Sequence, residues 1–397
     1  MRKYEKYKPS EIEWLGEIPE HWEVKRVKDA AQICNGKSQI DVSTDDETRY
    51  PIYGSGGVMG YATDFIYKKI SLLLGRKGTI DKPLYVVNPF WTIDTMFYTK
   101  INDKSIFNKY FYYSSLIFPF KALSTNTALP SMTQQSLSLC QMCFPPLSEQ
   151  TAIANYLDTK TTAIDRKIEL LTAKADKYKA LRRSLINENV CRGLNPNAPL
   201  KNSGIEWIGM IPEHWEVKRV KEIFYIGRGR VIGQDELVDE GRYPVFSSQT
   251  ENNGCLGYID TFDFNTTLLT WTTDGANAGT LFKREGKFNC TNVCGTLKPK
   301  KRKEILDFIL YVLQIAAKHN KRIDTNGAKI MNNEMSVIPL LYPPIEEQDA
   351  IAQFLNEKTT QIDTILTNIS EQISKLTQLR KTLINDVVTG KIKVTED

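Results

Sequence analysis

Residues 12–28 read IEWLGEIPEHWEVKRVK, and residues 205–221 read IEWIGMIPEHWEVKRVK. The two stretches align without a gap at an offset of 193 and agree at 15 of 17 positions. An internal repeat constrains architecture before local propensity does, so the remaining sequence is read against this one. Arg49, Tyr50 and Pro51 return at the same offset as Arg242, Tyr243 and Pro244. The phase then drifts, but the order of landmarks holds. Gly60 and Tyr61 return as Gly257 and Tyr258, and Thr125 and Asn126 as Thr325 and Asn326. The PPLSEQ of residues 145–150 returns as PPIEEQ at 343–348, and Leu185, Ile186 and Asn187 return as Leu383, Ile384 and Asn385.

The ends of the two copies agree while their middles do not. Residues 72–78 read LLLGRKG where 268–274 read LLTWTTD. Uniform drift would not leave near-identity beside near-randomness. A shared frame with divergent interiors is the pattern of one scaffold presenting two different recognition surfaces.

Each copy ends in a long segment free of Pro and Gly, about residues 148–190 and 346–388. Both segments follow a Pro-Pro pair, tolerated at a helix start. Ser148 is the expected cap of the first, and Glu149, Glu346 and Glu347 suit the positive end of a helix dipole. Gly193 and Gly390 stand where C-terminal stops are expected. Leu157, Ile164, Leu171, Tyr178 and Leu185 form a heptad seam. Leu355, Ile362, Ile369, Leu376 and Leu383 form another, each 198 positions from its counterpart. Ile168 with Leu366, Ala175 with Ile373 and Arg182 with Arg380 fill the alternate positions. Such seams predict helices that pack on each other. Arg182 and Arg380 are expected to snorkel near the helix ends.

Chain order makes such a pair antiparallel, with roughly 60 Å of helix for forty residues and a β-rich domain near each end. The fold class expected is α+β: two β-rich recognition domains, two long antiparallel coiled-coil helices and a pseudo-two-fold repeat. The boundaries expected are 1–23 for an N-terminal shared segment, 24–147 for the first recognition domain, and 148–192 for the first helix. A shared linker at 193–216, a second domain at 217–345, and a helix with its tail at 346–397 follow. Two readers related by a pseudo-dyad suit a split target on a duplex, with half-sites about one turn (roughly 34 Å) or somewhat more apart.

Within each middle, short runs rich in Tyr, Phe, Val, Ile and Thr alternate with Gly and Asn turns, which reads as strands. Residues 106–118 and 304–319 read as helices at equivalent places. Candidate contacts in the first domain are Arg76, Lys77, Thr79 and Lys82, since Arg and Lys reach guanine edges or phosphates and Thr either one. In the second they are Arg228, Arg230, Gln249, Trp271, Thr272, Thr273, Asp274 and Asn277. Residues 270–279 are small and polar apart from Trp271, as expected of a loop facing a ligand. Thr125, Asn126, Thr325 and Asn326 recur before the helices and are expected to hold backbone there.

With 397 residues, 41% hydrophobic and 25% charged, the chain is too long for one core and has the composition of a soluble protein. The net charge of +5 is compatible with a nucleic-acid partner. Five basic residues crowd into positions 298–303; such a run is usually a solvated loop. No apolar run is long enough for a membrane span. Residues 1–10 are polar and charged, so no secretion signal is expected and the cytoplasm is the default compartment. Seven cysteines at irregular spacings do not form a disulfide framework.

The sequence carries no recognisable catalytic motif. The Pro-Pro pairs are preceded by Phe144 and Tyr342, not by the Asn or Asp of a base-holding methyltransferase loop. Gly54 to Gly57 and Gly227 to Gly229 read as turns. No Walker A sequence occurs. Cys140 and Cys143 have metal-like spacing, but a structural zinc needs four ligands and the repeat counterpart has no cysteine; Cys290 and Cys294 are read the same way. No metal is expected. His21 and His214, beside Trp22 and Trp215, are expected to pack at helix–domain junctions. An enzyme would show a cofactor motif, and a plain coiled-coil interaction protein would leave the divergent middles unexplained.

The Glu-Trp-x-Gly-x-Ile-Pro-Glu-His-Trp-Glu segments, the Pro-Pro-x-x-Glu-Gln helix starts and the duplicated domain–helix order together resemble the specificity subunit of type I restriction-modification systems. The resemblance covers essentially the whole chain. It implies two variable target-recognition domains, each reading half of a bipartite site on double-stranded DNA. It implies helices that set the spacing and shared regions that dock two methyltransferase subunits. Restriction translocase–nuclease subunits would join for cleavage. A chain of this kind has no catalysis and no bound cofactor of its own. S-adenosylmethionine would sit on the methyltransferase, and ATP and Mg on the restriction subunit.

Overall fold

The structure is a computed structural model that describes residues 2–125, 128–301, 304–324 and 327–394. The chain divides into two compact units that are not simple halves of the sequence. One comprises Met1–Thr172 with Ile369–Asp397, the other Ala173–Asn368. Each therefore holds the first part of one long helix and the last part of the other. Among the described residues no helix is long and apolar enough to cross a membrane.

The repeat frame folds alike in both units. Tyr7–Pro9 pairs with Glu17–Pro19, and Leu200–Asn202 pairs with Met210–Pro212. Glu23–Arg26 then runs antiparallel to Gln141–Phe144, as Glu216–Arg219 does to Pro339–Tyr342. These pairings return the chain from each β-rich middle to the root of a long helix.

The divergent middles also share one topology. In the first unit, strands Ala31–Asn35, Met96–Ile101, Ser71–Gly75 and Leu84–Val86 lie in that order in one antiparallel sheet. In the second unit the sheet is Phe224–Arg228, Cys294–Pro299, Leu268–Thr272 and Leu281–Arg284. A second sheet contains a parallel pair in each case: Ile52 lies opposite Trp91, and Val245 opposite Asn289. The cross-strand partners are exchanged as sets. Leu74 faces Phe97 in the first sheet, while at the same register Trp271 faces Gly295 in the second. The Trp271 ring occupies the space where a Cβ on Gly295 would stand, 2.3 Å from it. Large-with-small has replaced medium-with-large, which keeps the volume of the layer.

The predicted domain helices are Asn108–Ser115 and Leu306–Asn320. Both clasp a long helix through a tyrosine. Tyr113 Oη donates to Asp158 at 2.7 Å and lies 3.1 Å from Thr161; Tyr311 Oη does the same to Asn356 at 2.9 Å and Thr359 at 3.1 Å.

The long helices span Leu147–Arg192 and Ile345–Val388. Each begins one residue earlier than the sequence reading placed it, so Ser148 lies inside the first turn and is not the cap. The glutamines of the Pro-Pro-x-x-Glu-Gln motif do the local work instead. Gln150 and Gln348 each donate from Nε2 to the carbonyl of the first proline, Pro145 and Pro343, at 2.9 Å. Gly193 and Gly390 end the helices in left-handed conformation, with φ of 73° and 76°, as a C-terminal stop requires.

The heptad positions are the less exposed ones along both helices, and within each unit the helix segments run antiparallel. Asp165 meets Arg380 at 2.8 Å in the first unit; Arg182 makes a bidentate pair with Asp363 at 3.0 and 3.3 Å in the second. The second pair is the first shifted by 198 residues with the helices exchanged. Arg182 and Arg380 are thus not snorkelling to solvent. Each reaches across the seam to a carboxylate, because the antiparallel register puts an aspartate opposite.

Candidate nucleic-acid interface

At the root of each long helix a tryptophan, a histidine and a glutamate meet. Trp22 is fully buried and its Nε1 donates to Glu149 at 3.0 Å, while His21 Nε2 lies 2.6 Å from the same carboxylate. Trp215 and His214 hold Glu347 in the same way, at 3.0 and 2.8 Å. The glycine that ends the opposite helix packs here. A Cβ on Gly390 would stand 3.1 Å from the Trp22 ring, and one on Gly193 3.2 Å from the Trp215 ring. The histidines, expected to pack at these junctions, are exposed and reach the shared glutamate from the solvent side. The clusters fix each β-rich domain to both helices of its unit and so orient the surfaces described next.

In the first domain, the segment after strand Ser71–Gly75 carries Arg76, Lys77 and Thr79. Lys77 forms an isolated bridge with Ser131, and Gly78 N–H donates to the Pro130 carbonyl at 3.0 Å. Thr125 is brought to the same place, with its hydroxyl 3.0 Å from Ser131 Oγ. The two segments line a cleft of about 600 Å³ together with Phe120 and Lys121. Lys77, Lys82 and Lys121 are exposed. Arg76 is partly held back: its Nη1 donates to the Asp94 carbonyl at 3.2 Å and its guanidinium lies 5.9 Å from the Phe97 ring. Thr79 is half-buried. Asn126 lies outside the described residues, as do Thr325 and Asn326.

In the second domain the picture changes for three candidates. Trp271, Thr272 and Thr273 are buried. Trp271 donates its indole N–H to the Ile330 carbonyl at 2.9 Å, Thr272 Oγ1 donates to the Asn277 carbonyl, and Thr273 Oγ1 donates to the Val293 carbonyl at 3.1 Å. They belong to or follow a central strand, and their polar atoms are satisfied inside the domain, so they are not ligand contacts. Arg230 is exposed but already paired with Glu236 at 2.8 Å and Asp263 at 3.2 Å. Its charge is spent pinning the loop before Leu237. Arg228 is exposed at a strand end, 3.7 Å from Met331 Sδ. Asn277 is exposed and donates to Thr250 Oγ1 at 3.3 Å, and half-buried Gln249 donates to the Cys255 carbonyl. Asp274 bridges Lys329 at the register where Lys77 bridges Ser131 in the first domain. One rim position thus carries opposite charge in the two domains. In the basic run, Lys300 is turned onto the Lys221 carbonyl at 2.6 Å, and Arg302 and Lys303 lie outside the described residues.

A family model described as "Type I restriction modification DNA specificity domain" matches residues 19–176 and, a second time, residues 212–375. The chain belongs to this family of type I DNA specificity proteins. S.MpnORF201P of Mycoplasma pneumoniae, which bears the name of a type I specificity subunit, is 36% identical over 214 residues, covering 53% of this chain and 80% of that one. The specificity subunit of the type I restriction enzyme MpnII, from the same organism, is 39% identical over 142 residues, covering 36% of this chain and 43% of the other. A chain from the solved structure "Structural basis underlying complex assembly and conformational transition of the type I R-M system" shares the fold, with a TM-score of 0.71 over 94% of this chain and 99% of that one at 12% identity.

The two domains also differ in the length of one hairpin, between the equivalent strands Tyr50–Gly54 with Gly57–Ala62 and Tyr243–Phe246 with Cys255–Ile259. Ser55 and Gly56 close it in one domain, residues 247–254 in the other. The sequence marks Gly54 to Gly57 as a turn and Gln249 as a candidate contact, but not the difference in length between the two turns. The signal of that difference was present in the drift of the repeat offset from 193 at Pro51 to 197 at Gly60.

Proposed function

We propose that this chain is the non-catalytic DNA-reading subunit of a type I restriction-modification complex. Residues 24–147 read one half of a bipartite, asymmetric site on double-stranded DNA, and residues 217–345 read the other. The duplicated frame docks two methyltransferase subunits, and restriction translocase–nuclease subunits join through them. S-adenosylmethionine, ATP and Mg belong to those partners.

One observation carries this reading: the frame repeats its tryptophan–glutamate contact at both junctions while the rims diverge. Trp22–Glu149 and Trp215–Glu347 match in partners and distance, whereas Lys77 stands where the other domain has Asp274. A duplicated docking surface with two unlike reading surfaces is what an asymmetric split target asks of a protein. Exposed lysines supply sequence-independent phosphate affinity, and exposed amides and cations on loops supply base readout.

The test is domain exchange. Residues 24–147 are replaced by the corresponding domain of a related subunit, and methylated bases are mapped in cells carrying the chimaera with its methyltransferase. One half of the methylated sequence should change and the other persist. Change in both halves, or in neither, refutes the two-reader assignment.

A further inference from the structure

Arg284 is 2% exposed and has no carboxylate partner among the described residues. Its Nη1 donates to the Asn253 carbonyl at 2.7 Å and its Nε to Thr270 Oγ1 at 3.2 Å; Nη2 has no hydrogen-bond partner there. The guanidinium lies 3.6 Å from the Phe246 ring centroid and 4.3 Å from that of Phe282. Burial pulls its pKa down to about 10, so it stays cationic at neutral pH. A buried cation without a counter-ion is costly and calls for a reason.

The fold is not that reason. The first domain builds the same sheet with Val86 at the register of Arg284 and Leu73 at that of Thr270. What accompanies Arg284 is the long turn. Asn252 and Asn253 are consecutive left-handed residues, with φ of 48° and 54°, and Gly254 continues the run at 76°. A Cβ on Gly254 would stand 2.9 Å from Arg284 Nη2, so the turn is drawn down onto the guanidinium. Ser247 N–H closes the turn onto the Gly254 carbonyl at 2.9 Å. The side chains of Asn252 and Asn253 are exposed and make no hydrogen bond to the described residues. Asn277 is tied to this turn through Thr250, and Gln249 forms its base.

We infer that the Asn252–Asn253 turn is a base-reading element of the second domain, and that Arg284 is its positioning residue. The inference rests on the two-reader assignment above and deepens it. An asparagine amide offers one donor and one acceptor in the spacing of adenine N7 and N6–H₂, so adenine is the base class it fits. A left-handed pair exposes both amides at the tip of the hairpin, and asparagine tolerates that conformation better than other non-glycine residues. The buried guanidinium holds the Asn253 carbonyl from below, so the strained turn keeps one shape before DNA arrives. Its charge also favours the approach of a polyanion.

The test uses the full chain assembled with its methyltransferase, selecting bound duplexes from a random pool. N252D and N253D keep the size and left-handed tolerance of asparagine but lose the amide donor. Preference for one or two base pairs in one half of the site should fall about ten- to a hundredfold, with the other half unchanged. R284V with T270L, which installs the residues of the first domain, should keep the melting temperature of the unaltered complex or exceed it. It should nonetheless relax the same base pairs, which a purely structural arginine would not do. Unchanged preferences in the folded variants overturn the inference, as does a loss spread over both halves. Exchange of the whole of residues 217–345 separates the two levels. If that exchange switches one half-site while the turn variants do nothing, only the turn assignment falls; if it switches nothing, the two-reader assignment falls.

Discussion

Trp22 donates its indole N–H to the Glu149 carboxylate across 3.0 Å, joining residues 127 positions apart, and Trp215 repeats the contact to Glu347 at the same distance. The glutamate is in the first turn of a helix, where the dipole favours a negative charge. The tryptophan is fully buried beneath the shared strands. A single interaction thus ties the segment before each recognition domain to the helix after it. Since Gly390 and Gly193 pack on the same rings, the other helix is tied there too.

E347A should therefore destabilise the second unit by about 2 kcal/mol, because it leaves a buried indole N–H without an acceptor. E347Q keeps an acceptor and should cost about half of that. W215F removes the donor, leaves Glu347 in place and empties part of a fully buried ring site, so it should cost at least as much as E347A. Urea unfolding of the three variants tests the order. Equal costs for E347A and E347Q would show that the hydrogen bond to Trp215 is not what Glu347 contributes.

The crossed ion pairs make a second expectation. Both are only partly exposed, and Arg182 is bidentate to Asp363. R182D places two like charges together and should cost about 1 kcal/mol or somewhat more. R182D with D363R restores the pair in reverse and should recover most of that. The parallel swap at Arg380 and Asp165 should behave alike, since the repeat carries one pair onto the other. Failure of the double variants to recover would refute pairing across the seam.

Much of this frame was legible in the sequence, because it was written twice. The repeat of residues 12–28, the heptad seams and the terminal glycines are local patterns with one physical meaning each. The polar run at 270–273 misled for a physical reason. Thr270, Thr272 and Thr273 resemble a loop in composition, but the hydroxyls of Thr270 and Thr273 find partners in Arg284 and Val293, and that of Thr272 folds back onto the Asn277 carbonyl, so the three can be buried. Burial of polar residues depends on which partners the fold brings to them, and composition alone does not name those. Arg284 was missed likewise: an arginine beside Glu285 and Gly286 reads as surface, and although Phe282 is two residues away on the same strand, Phe246 comes from a strand of the other sheet. Arg182 and Arg380 were misread because the aspartates opposite appear only once the antiparallel register is fixed.

Lys77 and Trp271 make a contrast that separates contact from core. K77A removes an exposed cation and should leave stability within about 0.5 kcal/mol. DNA affinity of the complex should fall, and the slope of log affinity against log salt should shrink by about 1. W271A should do the reverse at the level of the fold, costing about 3–5 kcal/mol of stability. Salt titrations of binding together with thermal melts decide this. An unchanged salt slope for K77A removes Lys77 from the phosphate-contacting set.

Burial also governs the thiols before the first long helix. Burial pushes the Cys140 and Cys143 thiols up to about 12. Only about one in ten thousand is then thiolate at pH 8, and thiolate is the reactive form. Both should resist iodoacetamide in the native protein and react on unfolding, which peptide mass spectrometry reads directly. Rapid native labelling of either would contradict the packing of strand Gln141–Phe144 against Glu23–Arg26.

The exchange of Leu74 and Phe97 for Trp271 and Gly295 allows the sharpest test of a shared sheet with separate fillings. A methyl group on Gly295 would collide with the Trp271 ring, so G295A should cost about 2–3 kcal/mol through overpacking. W271L alone leaves a cavity and should cost about 2–4 kcal/mol, with the Ile330 carbonyl also losing its donor. W271L with G295F rebuilds the pair found in the first domain, and the new phenyl ring occupies the space vacated by the indole. The double variant should therefore be more stable than the sum of the single costs predicts, with a coupling of about 1 kcal/mol or more. Additive losses in a double-mutant cycle would mean that the two sheets do not share the register at which these residues face each other.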